Sequence, residues 1–228
     1  MNIHQALENT TVFAAASPAT MASVLSCAVL RTYGKNELIF REKEDIGTFY
    51  FVAKGLVYLS KLNHHEEERI IFFCKEGEML NEVVVDGQSA SATAMTLTEA
   101  VIVKIPVKDM KFFMRQDAGL SEAVMRSMAV KIRRLYHQMK NTNNSVRLEQ
   151  QIAAKLWKLA KDYGVAEKGG TRIPFDLSIT LLANMAGSKR ETVSRVVKKL
   201  NTLGVIVVRG KTFFIPDKNR LLEFFHES

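Results

Sequence analysis

A segment near the C-terminus, residues 188–200, alternates charged and apolar side chains in a pattern that suits recognition chemistry. Wound as an α-helix with 3.6 residues per turn, the segment places its apolar residues on one face, namely Val193, Val196, Val197 and Leu200. The opposite face carries Arg190, Glu191, Ser194, Arg195 and Lys198. Arginine can pair with guanine in the major groove of DNA, and glutamate can accept a hydrogen bond from cytosine. The segment therefore predicts a helix that packs through one face and contacts base edges with the other.

One of these residues has a second interpretation. Ser188 and Glu191 have the S-x-x-E spacing of a capping box, in which the glutamate folds back onto the start of its own helix. The geometry of the exposed face favours base contact for Glu191, and capping stays open as the alternative.

The chain before this helix begins with strand-like sequence and then becomes helical. Residues 28–106 contain short runs of β-branched and aromatic residues separated by glycine turns, which is typical of a β-sandwich or barrel. These runs include Leu38–Phe40, Thr48–Val52, Leu56–Leu59, Ile70–Phe73 and Ala100–Val103. Helical periodicity then follows over residues 107–115 and 119–140. We therefore expect a β domain followed by helices.

The second of these helices carries an apolar repeat that predicts contact with another helix. Its members, spaced 4-4-3-4, are Val124, Met128, Ile132, Leu135 and Met139. A short coiled-coil-like seam after a complete barrel indicates a two-fold homodimer. The alternative is a helix that packs on its own barrel.

The C-terminal third predicts a winged helix-turn-helix. A polar break at Asn141–Ser145 is the best candidate for a hinge, and a helix of about Val146–Tyr163 follows it. A short strand at Thr171–Phe175 leads to two helices that meet at Gly187. The segment Val205–Ile215 then reads as a β-hairpin.

Composition limits the classes of partner and compartment. The 228 residues carry a formal net charge of +8 and a pI near 9.5, which favours an anionic partner. The two cysteines, Cys27 and Cys74, give neither a disulfide framework nor a zinc pattern, so we expect a cytoplasmic protein. The uncharged segment Thr10–Leu30 lacks a basic leader and contains Pro18, which predicts an amphipathic leader packed on the first domain and no membrane association.

Motifs in both halves of the chain resemble one family, the Crp/Fnr regulators. Leu177-Ser-x-x-x-Leu-Ala-x-x-x-Gly187-x-x-Arg-Glu-Thr-Val-Ser-Arg195 is similar to the helix-turn-helix of the family. The barrel motifs that resemble it are Tyr33-Gly-Lys-x-x-Leu-Ile-Phe40, Phe49-Tyr-Phe-Val-x-x-Gly55 and Gly77-Glu-Met-Leu-Asn-Glu82. The resemblance covers about residues 28–215 in the domain order of the family.

The resemblance implies an α+β fold with three parts. These are an effector-sensing β jelly roll of the cupin-like, cyclic-nucleotide-binding type (1–118), a dimerisation helix with its hinge (119–142) and a winged-helix DNA-binding domain (143–228). It also implies a homodimer that binds double-stranded palindromic DNA with half-sites one helical turn apart, about 34 Å.

The resemblance further assigns roles on the DNA-binding surface. The base readers would be Arg190, Glu191, Ser194 and Arg195, which together predict a TGTGA-like or TTGAC-like half-site. Phosphate contacts are expected from Ser178, Lys189, Lys198, Lys199, Arg209 and Lys211. The chain departs from the family at Thr180-Leu181, where Gln-Glu/Asp is frequent, and at Lys189, where Ser is common. Both changes are expected to alter phosphate contacts.

The sensor motif argues against cAMP as the effector. In cyclic-nucleotide-binding members an Arg-Ser pair follows the Gly-Glu segment; the arginine neutralises the cyclic phosphate and the glutamate accepts from the ribose. Here Glu82 is present, but Ala90 precedes Ser91. Without that cation the phosphate would lack its charge-assisted bidentate partner.

A small organic effector is therefore expected. Ser91-Ala-Thr-Ala-Met95 and Lys131 resemble the corresponding parts of halophenol-responsive members, in which a lysine of the dimer helix engages the acidic group of an aryl ligand. The candidate effector pocket comprises Glu82, Ser91, Thr93 and Lys131. Lys131 as a plain surface residue of a basic helix is the alternative.

Other cofactors and functions were weighed against this one. An iron–sulfur cluster usually needs four cysteines, and the chain has two. Haem stays open because His137 lies on the dimer helix. No metal site is expected at His64–Glu68. Its residues Glu66, Glu67 and Glu68 are instead a candidate contact for RNA polymerase, and Lys168–Arg172 is a second candidate loop.

We find no catalytic constellation. The alternatives are a haem-based gas sensor of the same fold, or a cyclic-nucleotide-binding regulatory protein without a DNA function.

Overall fold

The computed structural model describes residues 1–140 and 147–226, and the chain divides into two compact units. The first comprises residues 1–61 and 71–138, and the second comprises 62–70 and 139–228. The expected hinge at Asn141–Ser145 lies outside the described residues.

The N-terminal segment before the sheets packs on the β domain, as predicted for the leader, and the structure shows that it is helical. It contains α1 (Ile3–Glu8), a 3-10 turn at Phe13–Ala15 and α2 (Pro18–Cys27). Helix α2 begins where the Ser17 hydroxyl accepts a hydrogen bond from the backbone N–H of Thr20. The apolar residues of the leader, Ala6, Leu7, Val12, Phe13 and Val24, belong to the core of the β domain.

Two antiparallel sheets form the β domain. The strands are β1 (Val29–Tyr33), β2 (Leu38–Phe40), β3 (Thr48–Lys54), β4 (Val57–Leu62), β5 (Glu68–Cys74), β6 (Thr93–Thr96) and β7 (Ala100–Pro106). Their order is β1-β7-β3 in one sheet and β2-β6-β4-β5 in the other. Five strands overlap the predicted runs, whereas β1 and β6 had not been singled out as strands. Residues Phe49 to Ala53 of β3 are all buried, which explains why this strand reads as a continuous apolar run.

Two helices follow the sheets, α3 (Val107–Gln116) and α4 (Ala118–Lys140). Asp117 lies between them and fixes the start of α4. One carboxylate oxygen accepts from the backbone N–H of Leu120 at 3.0 Å, and the other accepts from the backbone N–H of Ser17 at 2.8 Å. The same side chain therefore caps α4 and attaches it to the leader.

The second unit contains a winged helix-turn-helix. Its elements are α5 (Leu148–Tyr163), β8 (Val165–Glu167), β9 (Gly170–Arg172), α6 (Ile179–Ala186), α7 (Arg190–Thr202), β10 (Val207–Arg209), β11 (Thr212–Ile215) and α8 (Lys218–His226). The sheet order is β10-β11-β9-β8. The expected strand Thr171–Phe175 is wrong in its extent, because β9 ends at Arg172 and pairs with the unpredicted β8. Pro174 has no N–H for a sheet hydrogen bond, and Ile173 and Phe175 are buried outside the strand.

Within the described ranges, no helix is long and apolar enough to cross a membrane.

Candidate nucleic-acid interface and effector site

The turn between α6 and α7 is built from one cap and one glycine. The Ser178 hydroxyl accepts from the backbone N–H of Leu181 at 3.0 Å and so begins α6. Gly187 ends α6 in a left-handed conformation with φ of 61°, which other residues adopt only at a cost. The backbone N–H of Ser188 then returns to the carbonyl of Ala183 at 3.2 Å. These contacts fix the direction in which α7 leaves the turn.

Helix α7 has the two faces that its sequence predicts. Val193 and Leu200 are fully buried, and Val196 and Val197 nearly so. The four expected base readers and Lys198 are all exposed. Burial of the valine and leucine side chains anchors the helix, because each fully buried aliphatic side chain contributes about 1.5–3 kcal/mol. The exposed face is therefore held rigidly and carries arginine, glutamate and serine within two turns.

The alternative role of Glu191 is not realised. Helix α7 begins after Lys189, and no side chain forms a capping hydrogen bond there. Without a capping box between Ser188 and Glu191, the Glu191 carboxylate stays on the exposed face.

The expected phosphate contacts differ in how available they are. Arg209 and Lys211 are exposed on either side of Gly210, which forms the turn of the wing with φ of 63°. Lys199, by contrast, donates to both carboxylate oxygens of Glu149 on α5, each at 2.8 Å. The Ser178 hydroxyl is already engaged in capping α6.

Two of the four candidate effector residues lie together in the first unit. The Lys131 ammonium forms an ion pair with Glu82, and it also donates to the backbone carbonyls of Met79 at 2.8 Å and Leu80 at 3.3 Å. The other oxygen of Glu82 accepts from the Ser127 hydroxyl at 2.5 Å. The side chains of Lys131 and Glu82 are only 14% and 3% exposed, so the pair is shielded from water. The interpretation of Lys131 as a plain surface residue is therefore wrong.

The other two candidates are not part of this contact set. The Thr93 hydroxyl oxygen accepts from the backbone N–H of Glu42 at 3.0 Å, and Ser91 is exposed. Ala90, at the position of the family's arginine, is 2% exposed, and its backbone pairs with Lys43 and Glu44. The position of the family's arginine therefore carries no charge, and the Glu82 carboxylate is paired with Lys131.

Sequence reasoning missed a row of polar contacts along α4. Arg134 donates to Glu78 at 2.7 Å, and the Gln138 amide donates to the carbonyl of Ile71 at 2.8 Å. With Ser127 and Lys131 they form what we call the polar stripe of α4, at spacings of four, three and four residues. Helical periodicity was the available signal, since these spacings place all four residues on one face.

The expected dimer seam falls on two different environments. Val124 is fully buried in the core of its own domain, so its assignment to the seam is corrected, and Met128 packs against that core. The remaining members, Ile132, Leu135 and Met139, are exposed, and with Met125 and Tyr136 they form an apolar stripe. The expected repeat therefore begins inside its own domain and becomes exposed further along α4, because spacing alone does not identify the partner of each side chain.

Among the described residues, no group of three His, Cys, Asp or Glu side chains is arranged to hold a metal ion. His137 is exposed on α4. Cys74 is fully buried, and burial raises the pKa of its thiol to about 12.

These features define a class of protein: a β-sandwich domain with a long helix, followed along the chain by a winged helix. Domain-family profiles agree, because the cyclic nucleotide-binding domain matches residues 30–117 and the Crp-like helix-turn-helix domain matches residues 150–224. The chain belongs to the Crp/Fnr family of transcription regulators.

Curated relatives are similar over most of the chain. The chain is 24% identical over 217 residues to the CRP-like cAMP-activated global transcriptional regulator of Mycobacterium tuberculosis, covering 92% of this chain and 94% of that protein. It is 27% identical over 191 residues to the cAMP-activated global transcriptional regulator CRP of Haemophilus influenzae, covering 82% and 83%.

The similar folds include the c-di-GMP responsive global regulator CLP of Xanthomonas campestris, with a TM-score of 0.78 at 21% identity. That likeness covers 88% of this chain and all of the other. A CRP-family transcriptional regulator from Thermus thermophilus has a TM-score of 0.75 at 23% identity, covering 87% and 97%.

Proposed function

We propose that this protein is a sequence-specific DNA-binding regulator whose activity is controlled by a small organic effector other than cAMP. The observation that carries the proposal is the exposed face of α7, where Arg190, Glu191, Ser194 and Arg195 project from a helix anchored by its buried face. Arginine and glutamate on one such face match the hydrogen-bonding edges of guanine and cytosine.

The proposed DNA site is a palindrome with TGTGA-like or TTGAC-like half-sites. Palindromic binding requires a two-fold dimer, and the apolar stripe of α4 is the surface we propose for it. Lys189 and Lys198 beside the base readers, together with Arg209 and Lys211 of the wing, would contact phosphates, which set register and salt dependence.

The proposed division of labour follows the order of the chain. Residues 1–118 sense the effector, 119–142 dimerise and form the hinge, and 143–228 bind DNA. A regulator that binds DNA would act in the cytoplasm. The acidic residues Glu66, Glu67 and Glu68 are the proposed contact with RNA polymerase.

The proposed effector is not a cyclic nucleotide because Ala90 stands where the arginine that neutralises the cyclic phosphate would be expected. A cyclic phosphate beside Ala90 would lose its hydration without gaining the charge-assisted bidentate partner that an arginine supplies. Aryl acids are the first class to test, since Ser91–Met95 and Lys131 resemble the sensors of halophenol-responsive members.

A binding assay with labelled duplexes tests this function. Purified protein should bind a palindrome with either half-site more tightly than a scrambled duplex of the same length and composition, and Arg195→Ala should lose this preference. Equal binding to both duplexes would leave only a protein-contact role for the C-terminal domain. Thermal unfolding with cAMP, haem and aryl acids tests the effector, because a ligand of the folded state raises Tm; a shift with cAMP would overturn the sensor assignment.

A further inference from the structure

The Glu82–Lys131 pair is buried and its hydrogen bonds are complete. Lys131 has three N–H donors, and its three acceptors are Glu82 and the carbonyls of Met79 and Leu80. Each oxygen of Glu82 also has a partner, Lys131 on one and Ser127 on the other. Over residues 1–140 and 147–226, no buried side-chain nitrogen or oxygen lacks a hydrogen-bond partner. The negative charge of Glu82 is thus balanced by the positive charge of Lys131 within the site.

The pair also connects α4 to the sensor sheet. Glu82 opens the 3-10 segment Glu82–Asp86, and Met79 pairs with Phe51 of β3 through an isolated bridge. Lys131 reaches this segment from the middle of α4. Any group that takes the ammonium from Glu82 must therefore change a contact that positions the proposed dimerisation helix.

We propose that the Glu82 carboxylate is an internal occupant of the effector site, which an anionic effector must displace from Lys131 and thereby loosen α4 from the sensor sheet. This inference rests on the effector control proposed above, and it identifies Glu82 as the group that competes with the effector for Lys131. A second anion cannot share the ammonium while Glu82 keeps its bond, because two like charges at one buried cation repel each other. Displacement of Glu82 therefore couples effector binding to the contacts of α4, because Lys131 takes part in both.

Chemical rescue tests the inference without knowing the natural effector. Glu82→Ala removes a CH2–COO⁻ group, which has the size and charge of an acetate ion. The Lys131 ammonium then stays buried beside the space that this group occupied. Sodium acetate should raise the Tm of Glu82→Ala in proportion to concentration, by several degrees more than sodium chloride at equal ionic strength. Wild type should show no such difference, since Glu82 already occupies the cation. Glu82→Ala/Lys131→Met should also show none, since the cation is gone.

A second variant keeps the test decisive if Glu82→Ala does not fold. Glu82→Gln preserves shape but removes the charge, so amide hydrogen exchange in α4 around Lys131 should become faster than in wild type. The matched control is Glu122→Gln, which breaks the exposed Glu122–Arg126 pair of the same helix at 2.7 Å and should leave this exchange unchanged.

Equal acetate responses in Glu82→Ala and wild type would overturn the inference, and so would unchanged exchange in Glu82→Gln. Neither result depends on DNA. If the wild-type protein does not prefer the palindrome, the proposed function is wrong, but the acetate result is unaffected. The two failures can therefore be told apart.

Discussion

Both carboxylate oxygens of Glu149, near the start of α5, accept hydrogen bonds from the Lys199 ammonium on α7 at 2.8 Å. The two side chains are 32% and 54% exposed, so the pair contributes little to folding, about 0–1 kcal/mol. Its effect is on charge, because it neutralises Lys199, which is one of the proposed phosphate contacts.

Releasing Lys199 should strengthen DNA binding. Glu149→Gln is expected to tighten binding at low salt and to steepen the log-log salt dependence by about 0.9, the value for one added phosphate contact. Fluorescence anisotropy over a series of salt concentrations measures both. Asp162→Asn is the matched control, since it removes a similar charge from the Lys158–Asp162 pair of α5 without touching Lys199. An equal gain in both variants would show a net-charge effect only.

Replacing Arg190 and replacing Lys198 should weaken DNA binding in different ways. Arg190→Ala is expected to cost about 1–3 kcal/mol on the preferred palindrome and to relax preference at one base position. Lys198→Ala should weaken binding to all sequences alike and reduce the salt slope by about 1. Titrations against every single-base variant of one half-site distinguish these patterns. A uniform loss in Arg190→Ala would contradict its role as a base reader.

Exposure along α4 predicts which positions control assembly. Ile132 is 47% exposed and Val124 is fully buried. Ile132→Asp should convert the proposed dimer to a folded monomer, because a carboxylate would have to be desolvated in the contact. Val124→Asp should instead unfold the sensor domain. Sedimentation velocity and circular dichroism report the two outcomes.

The control for Ile132→Asp is Phe112→Asp on α3, a position that is 56% exposed. It should remain dimeric. A dimeric Ile132→Asp variant would place the interface elsewhere.

Asp117 should make stability depend on acid pH. Its hydrogen bond from the backbone N–H of Ser17, followed by that from Leu120, holds the pKa of the carboxyl well below its ordinary value. Because the folded-state pKa is lower than the unfolded one, the stabilisation is present above the unfolded pKa, about 3.9, and is lost as pH falls through the folded pKa.

Asp117→Asn should therefore lower Tm near neutral pH and flatten its decline between about pH 5 and pH 2. Thermal unfolding at a series of pH values measures this. Parallel curves for the variant and wild type would show that other carboxylates cause the acid sensitivity.

Local pattern was sufficient to predict the faces of α7 and the wing hairpin, because both depend on residues within a few positions of each other. The strand after α5 was harder to delimit: β9 ends at Arg172, two residues before Pro174, which has no N–H for a sheet hydrogen bond. The burial of Val124 could not be predicted, because a heptad-like repeat does not say which neighbour each residue meets.

The Glu82–Lys131 contact joins positions 49 residues apart, which no local spacing relates. The resemblance selected both residues as candidate ligand contacts. Their pairing with each other came only from the way α4 crosses the segment around Glu82.

The central claim is that the exposed face of α7 reads a palindromic sequence. Its most direct test is the ratio of dissociation constants for a scrambled duplex and for the TGTGA-like or TTGAC-like palindrome, measured at one fixed salt concentration for wild type and Arg195→Ala. We predict a ratio of at least about 10³ for wild type, as in specific regulators, and a fall of ten-fold or more in Arg195→Ala. A ratio near one for wild type on both palindromes, or an unchanged ratio in Arg195→Ala, would contradict the account.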